Sequence, residues 1–265
     1  MTTLLAPLLT RLTAVGPYFT ADPTPRPDPS EGGFRPLAEL YGGAGITAHV
    51  QEIGRRMGTG PGRVAASTAQ LGVASRLWSL ALGCAALGGE VPDLDPGRLW
   101  WRRPSAGPVE LRLPDPRPLP GPLPEAVHRA VAVTHLAPLD AAVRAAYAVS
   151  PQILRGNAAS ALVGAVRVLL DRVPDAPHPP VPLVERLLAR PPLAGTGTFL
   201  HEEGLGVAFT RRSCCLYYRV PAAMCGDCVL RTPTPPVPRE GPRRHDPRRH
   251  PADPRQRAVL APAHR

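Results

Sequence analysis

The run GRVAASTAQLGVASRLWSLALGCAALGGEV, residues 62–91, decides how the rest of the chain is read. It contains no proline although the chain carries 37 of them, and an interior proline costs a helix about 3 kcal/mol. Val64, Ala65, Leu71, Ala74, Leu77, Trp78, Ala81, Leu82 and Ala85 would set apolar groups on nearly every side of a helix. A helix without a polar face belongs inside a core. The spacing therefore predicts a buried helix over 62–87, stopped by Gly88 and Gly89.

Working outward, the neighbouring windows fall into place around this helix. Residues 46–57 read as a short helix, and 20–36, with five prolines, as a loop. LWWRR and VELRL flank a Pro-Ser-Ala-Gly-Pro turn and predict a hairpin over 98–113, with Trp100 and Trp101 suited to one inward and one outward position. Pro124-Glu125 opens a helix to about Thr134, with a further helical piece over 139–148. Ser150-Pro151 is a helix start, a serine cap before a first-turn proline, and small and apolar residues continue to Arg172. A short amphipathic helix is expected over 182–190. Beyond it GTFL, GLGVAF and CCLYYRV are aromatic and β-branched, so strands are expected. The fold class is α+β, a mainly helical body with short β-hairpins and a strand-rich carboxy-terminal segment.

Composition sets the limits. A chain of 265 residues with 43% apolar content can bury a good-sized core, which excludes collagen-like, mucin-like and wholly disordered classes. No run of roughly 18 purely apolar residues is visible, the best being 77–89 after Arg76, so stable membrane insertion is not expected. The opening MTTLLAPLLTRLTAVG lacks a basic start, and Arg11 interrupts any signal-peptide core; the cytoplasm is the expected compartment. The formal charge of +10 is not spread evenly: residues 231–265 hold nine arginines against Glu240, Asp246 and Asp253. That stretch has no aromatic group to stack on bases, so it reads as a disordered solubilising tail rather than a nucleic-acid arm. His245 and His250 fall in it and read as tail. Neither a GxGxxG nor a GxxxxGK fingerprint occurs, so direct use of a nucleotide cofactor finds no support.

Chemistry concentrates in the cysteines. Four of the five crowd together as Cys214-Cys215-x9-Cys225-x2-Cys228, while Cys84 sits in the apolar helix and reads as a small core residue. Four cysteines in a reducing compartment mean a metal or redox centre. Only Cys225-x2-Cys228 is a zinc-type knuckle, and adjacent residues of a strand face opposite ways, so Cys214 and Cys215 converge only where the strand breaks. The spacing leaves an iron-sulfur cluster, a structural zinc and a dithiol open, in that order.

RRSCCLYYRVPAAMCGDCVLR, residues 211–231, closely resembles the carboxy-terminal cluster segment of the FhuF-like ferric-siderophore reductases. Weaker echoes run upstream in the family's order, in residues 63–83, 99–103 and 155–162. The spacer of nine residues, 216–224, is one shorter than the family commonly has, and Arg155 stands where an aromatic residue often precedes Gly-Asn. The resemblance implies that Cys214, Cys215, Cys225 and Cys228 hold one 2Fe-2S cluster in a cytoplasmic oxidoreductase. That enzyme would take an electron from an unidentified donor and reduce the iron of a ferric siderophore. The expected organisation is a helical FhuF-like body over 1–205, a cluster segment over 206–231 and the disordered tail over 232–265. The alternatives are a non-redox zinc-stabilised binding module and an iron-sulfur electron carrier of another pathway. Arg219 shares strand parity with Cys215 and is expected near the cluster ahead of Arg211 and Arg212, each a candidate for tuning it or contacting substrate. Asn157 and Ser160 could touch substrate or pack helices, and Asp227 reads as a turn former.

Overall fold

The long apolar run forms a helix, α3 (Arg63–Gly88), that is buried along most of its length and ends where Gly89 turns left-handed at φ 65°. In this computed structural model, which describes residues 5–25, 33–202, 204, 206–220 and 224–230, α3 is the axis about which the body is built. Its most extensive partner is α6 (Pro151–Arg172), whose start is the predicted cap: Ser150 Oγ accepts from the Gln152 amide at 3.3 Å. Around this pair lie α1 (Leu5–Leu12), α2 (Gly43–Met57), α4 (Leu123–Val127), α5 (Ala137–Tyr147) and α7 (Pro180–Leu188). Gly83 and Gly88 let α1 press onto α3, since a Cβ at Gly83 would stand 2.8 Å from Leu12 and Phe19, and one at Gly88 2.4 Å from Leu8. Close approach is what glycine provides on an otherwise buried helix.

The helical ladder from α4 to α5 is continuous, where the sequence suggested two pieces. Residues His128–Leu136 join them in wide π-type turns. These turns precede Pro138, which has no amide to place in an ordinary ladder, and Thr134 Oγ1 donates to the Arg129 carbonyl at 2.8 Å.

The expected hairpin is present as β2 (Trp100–Arg102) and β3 (Glu110–Arg112), antiparallel with Trp101 opposite Leu111. A third strand, β1 (Arg35–Pro36), adds to β2. Both tryptophans are buried, which corrects the one-in, one-out expectation. Trp101 packs edge-on against His49 of α2, and Arg35 and Arg103 lie within cation–π range of its ring. A second sheet pairs β4 (Gly197–Glu202) with β5 (Gly206–Arg211), Phe199 opposite Phe209. The fold is thus mainly helical α+β, as the sequence indicated. Met1–Leu230 forms a single compact unit that includes the cysteine-bearing segment.

One buried charge ties the amino-terminal loop to the hairpin. Arg76 of α3 is 2% exposed, and its guanidinium donates to the carbonyls of Val109 at 2.8 Å, Pro17 at 2.6 Å and Thr20. A buried charge is tolerable when its donors are met by oppositely polarised groups, here three loop carbonyls. Two helices, Arg63–Gly88 and Pro151–Arg172, are long and apolar enough to cross a membrane by length and mean composition. In the fold, 78% and 61% of their apolar windows are buried inside the protein. The arginine-rich tail with His245 and His250, and residues 221–223 of the spacer between the cysteine pairs, lie outside the described residues.

Candidate metal centre

Strand β5 ends at Arg211, and the chain then abandons extended structure. This is the break that Cys214 and Cys215 require. Leu216 takes a left-handed conformation at φ 69°, and a short 3-10 turn, Tyr217–Arg219, follows. CCLYYRV is therefore a turn and not a strand. The left-handed step lets the Leu216 amide donate to Cys214 Sγ at 3.3 Å, and the Leu230 amide donates to Cys228 Sγ at 3.4 Å. Both thiol-bearing pairs thus carry the same amide-to-sulfur bond two residues on. Such bonds stabilise thiolate character.

All four cysteines of the segment are free thiols, Cys215 and Cys228 buried, Cys214 and Cys225 half-buried. Cys225, with help from the Tyr217 amide and the Arg211 guanidinium, pulls the Cys215 thiol below its usual range. The same pairing pushes the Cys225 thiol up. Among the described residues, no three His, Cys, Asp or Glu side chains close around a single ion.

The supports of this segment come from the helical core. Ser67 of α3 donates through Oγ to the Cys215 carbonyl at 2.8 Å. Asn157 of α6, fully buried, donates through Nδ2 to the Ser67 carbonyl and Oγ, each at 3.0 Å, and to Gln70 Oε1 at 3.1 Å. Gln70 in turn donates to Asp140 at 2.9 Å and to the Leu154 carbonyl. Burial pushes the Asp140 carboxyl up to about 6. Next to Asn157, a Cβ at Gly156 would stand 2.3 Å from Ser213 Oγ and 2.8 Å from the Arg211 guanidinium. The Gly-Asn pair of the upstream echo is therefore a docking device, glycine for clearance and asparagine for hydrogen bonds. Asn157 has a packing role, and Ser160 lines a cavity beside Cys225.

Arginine placement departs from expectation. Arg211, 2% exposed, lies against the thiols and donates to the carbonyls of Ser213 at 3.0 Å and Ile153 at 3.2 Å. Burial lowers its proton affinity while Cys215, Cys225, Asp227 and Cys214 raise it. Arg212 and Arg219 are exposed. Arg219 turns to the Tyr218 hydroxyl, 3.3 Å away, although it still feels Cys214. Strand parity failed because the strand ends at Arg211. Asp227 does more than form a turn: it is nearly buried, and its carboxylate meets Arg167 of α6 at 2.8 Å.

Four thiols, amide donors to two of the sulfurs and one buried guanidinium make a donor set that fits a four-thiolate iron-sulfur group. The same residues are matched by a known family. Residues 211–230 match the family described as FhuF 2Fe-2S C-terminal domain, and the cofactor this indicates is a 2Fe-2S cluster. The carboxy-terminal segment thus matches the FhuF 2Fe-2S family, as the resemblance implied. No curated protein matches the chain.

Proposed function

We propose that this chain is a ferric-siderophore reductase of the cytoplasm, in which Cys214, Cys215, Cys225 and Cys228 are the four cluster ligands. The observation that carries the reading is an open cavity lined by two of these thiols, from the segment that matches the 2Fe-2S family. Cys215 and Cys225 line it, together with Tyr18, Thr68, Ser75 and Tyr217, in a volume of about 290 Å³. A bound 2Fe-2S cluster supplies a centre that takes up and gives back one electron.

The protein's own groups do the rest. Arg211 holds positive charge against the thiolates in a water-poor setting, where it favours added negative charge more than it could in bulk water. Amides of Leu216 and Leu230 do the same at shorter range. The cavity admits a metal complex to the cysteine face, and hydroxyl groups rather than carboxylates line it. Hard oxygen donors hold Fe(III) better than Fe(II), so one electron delivered there loosens the complex and lets other ligands take the iron. The electron comes from a separate one-electron reductant, and the siderophore leaves without covalent change.

The test begins with the visible spectrum of anaerobically purified protein before and after dithionite. Bands that bleach on reduction and are absent from Cys225→Ser support the ligand set. Addition of a ferric siderophore to the reduced protein should restore the bands while an Fe(II) chelator develops colour. A colourless protein with stoichiometric zinc, or a reduced protein that stays reduced beside several ferric siderophores, would overturn the proposal.

A further inference from the structure

The cavity over Cys215 and Cys225 does not stand alone. It shares Tyr18, Thr68 and Gly72 with a neighbouring chamber of about 160 Å³ that runs to His49, Arg56 and Arg103. On its other side it shares Tyr18, Leu71, Ser75 and Cys225 with a chamber of about 340 Å³ that reaches Ser160 and Arg167. Tyr18 is the wall common to all three. Its ring is 41% exposed, while the next residue, Phe19, is buried to 1%. The carbonyls on either side of this pair, Pro17 and Thr20, are the ones clamped by buried Arg76. Tyr18 is thus presented by a fixed loop, anchored in the core through Phe19.

The far chamber is electropositive. Glu52 is its one carboxylate, and that group already takes both Arg55 and Arg56 at 2.7 Å. Arg103 has no ion-pair partner among the described residues; it lies 5.6 Å from the centroid of the Trp101 ring. Arg35 and Arg56 crowd it with like charge. His49 lines the same chamber, and its Nδ1 is buried with no hydrogen-bond partner. On the cysteine side, the Ser160 hydroxyl is likewise buried without a partner.

We infer that these chambers form one substrate trough for a negatively charged, oxygen-rich metal chelate. Its metal centre would lie over Cys215 and Cys225, its ring or ligand plane against Tyr18, and an anionic arm on Arg103. The inference rests on the reductase reading for the identity of the metal and goes beyond it in naming charge as what the site selects. The trough's two carboxylates, Glu52 and Asp227, are already ion-paired, so the guanidinium of Arg103 at its end rewards an anion and gives a neutral complex nothing in return.

The test uses gallium(III) complexes, which copy the charge and shape of ferric ones but take no electron, titrated calorimetrically into the iron-loaded protein. A gallium tricatecholate, strongly negative, should bind about tenfold more tightly than a neutral gallium trihydroxamate, the size of one charge-assisted contact. Arg103→Gln should remove that preference and leave the trihydroxamate unchanged. Tyr18→Ala should weaken both complexes while the visible bands stay as they were. Equal binding of the two complexes, or tight binding indifferent to Tyr18→Ala, would overturn the trough. A colourless protein that still binds through Tyr18 and Arg103 would sink the reductase reading and leave the trough standing. A coloured, dithionite-bleached protein that binds neither complex would do the reverse.

Discussion

Helix α3 and the cysteine segment solve opposite problems within one unit. The helix is held by what it hides: Leu77, Trp78, Leu80 and Leu82 are all fully buried. Among its described residues, the segment after β5 buries only Cys215, Asp227 and Cys228, and leaves Tyr218, Met224, Val229 and Leu230 exposed. It stays in place through single hydrogen bonds and one ion pair reaching out from α3 and α6. Hydrophobic burial scales with area and tolerates small losses. A segment held by a few polar contacts depends on each one, and on the group its thiols bind. The body should therefore outlast the segment under stress.

The most severe way to break this contrast is to attack the helix. Trp78→Ala removes a fully buried ring and should cost about 3–5 kcal/mol; urea unfolding followed by circular dichroism should show visible absorption and helicity lost together. Asn157→Ala should act differently. It leaves Ser67 and Gln70 without their shared donor, a loss of about 1–3 kcal/mol, and visible bleaching in urea should then precede the loss of helicity. If the two midpoints move together, segment and body are a single cooperative unit and the contrast fails.

Gly156→Ala sharpens the comparison further. The added methyl must displace Ser213 Oγ, which otherwise donates to the Gln152 carbonyl at 2.9 Å, for about 1–2 kcal/mol of overpacking. Its signature is faster release of iron to a chelator at unchanged helical content.

A last expected effect is a pH dependence confined to the body. His49 and His135 are both held near 4, chiefly by burial. The unfolded chain binds protons at these sites below about 6.5 while the folded one does so only near 4, so between these values stability rises with pH. Asp140, raised to about 6 by burial, works the other way: the folded state holds the extra proton, and stability falls as pH climbs from about 4 to 6. Two histidines oppose one aspartate, so the thermal midpoint should still rise over this range. Asp140→Asn should steepen the rise.

Much of the body was legible because proline placement and apolar spacing are local signals. The Ser150-Pro151 cap and the Gly88-Gly89 stop are set by their own backbone, and both appear where expected. What escaped was set by partners distant in sequence. Arg35–Pro36 is two residues long and is a strand only because β2 lies beside it. Trp100 and Trp101 are both buried because the small sheet is covered on both faces, and alternation alone assumes one open face. The four cysteines and their connection to a cluster were visible as spacing and as resemblance. Their electrostatic neighbour was misjudged, since an aromatic-rich run looks like a strand until Leu216 turns left-handed. Tyr18 had no signal at all, being one tyrosine in a proline-flanked loop whose position depends on Arg76, more than fifty residues away.

The direction of the contacts that hold the cysteine segment carries a consequence in time. Ser67, Gln152, Ile153, Gly156, Asn157, Arg167 and Thr196 all precede the first of its four cysteines in the chain. During synthesis the whole platform has left the ribosome before the first of these thiols emerges. Assembly can then proceed by delivering metal to a berth already built, with the newest part of the chain closing over it.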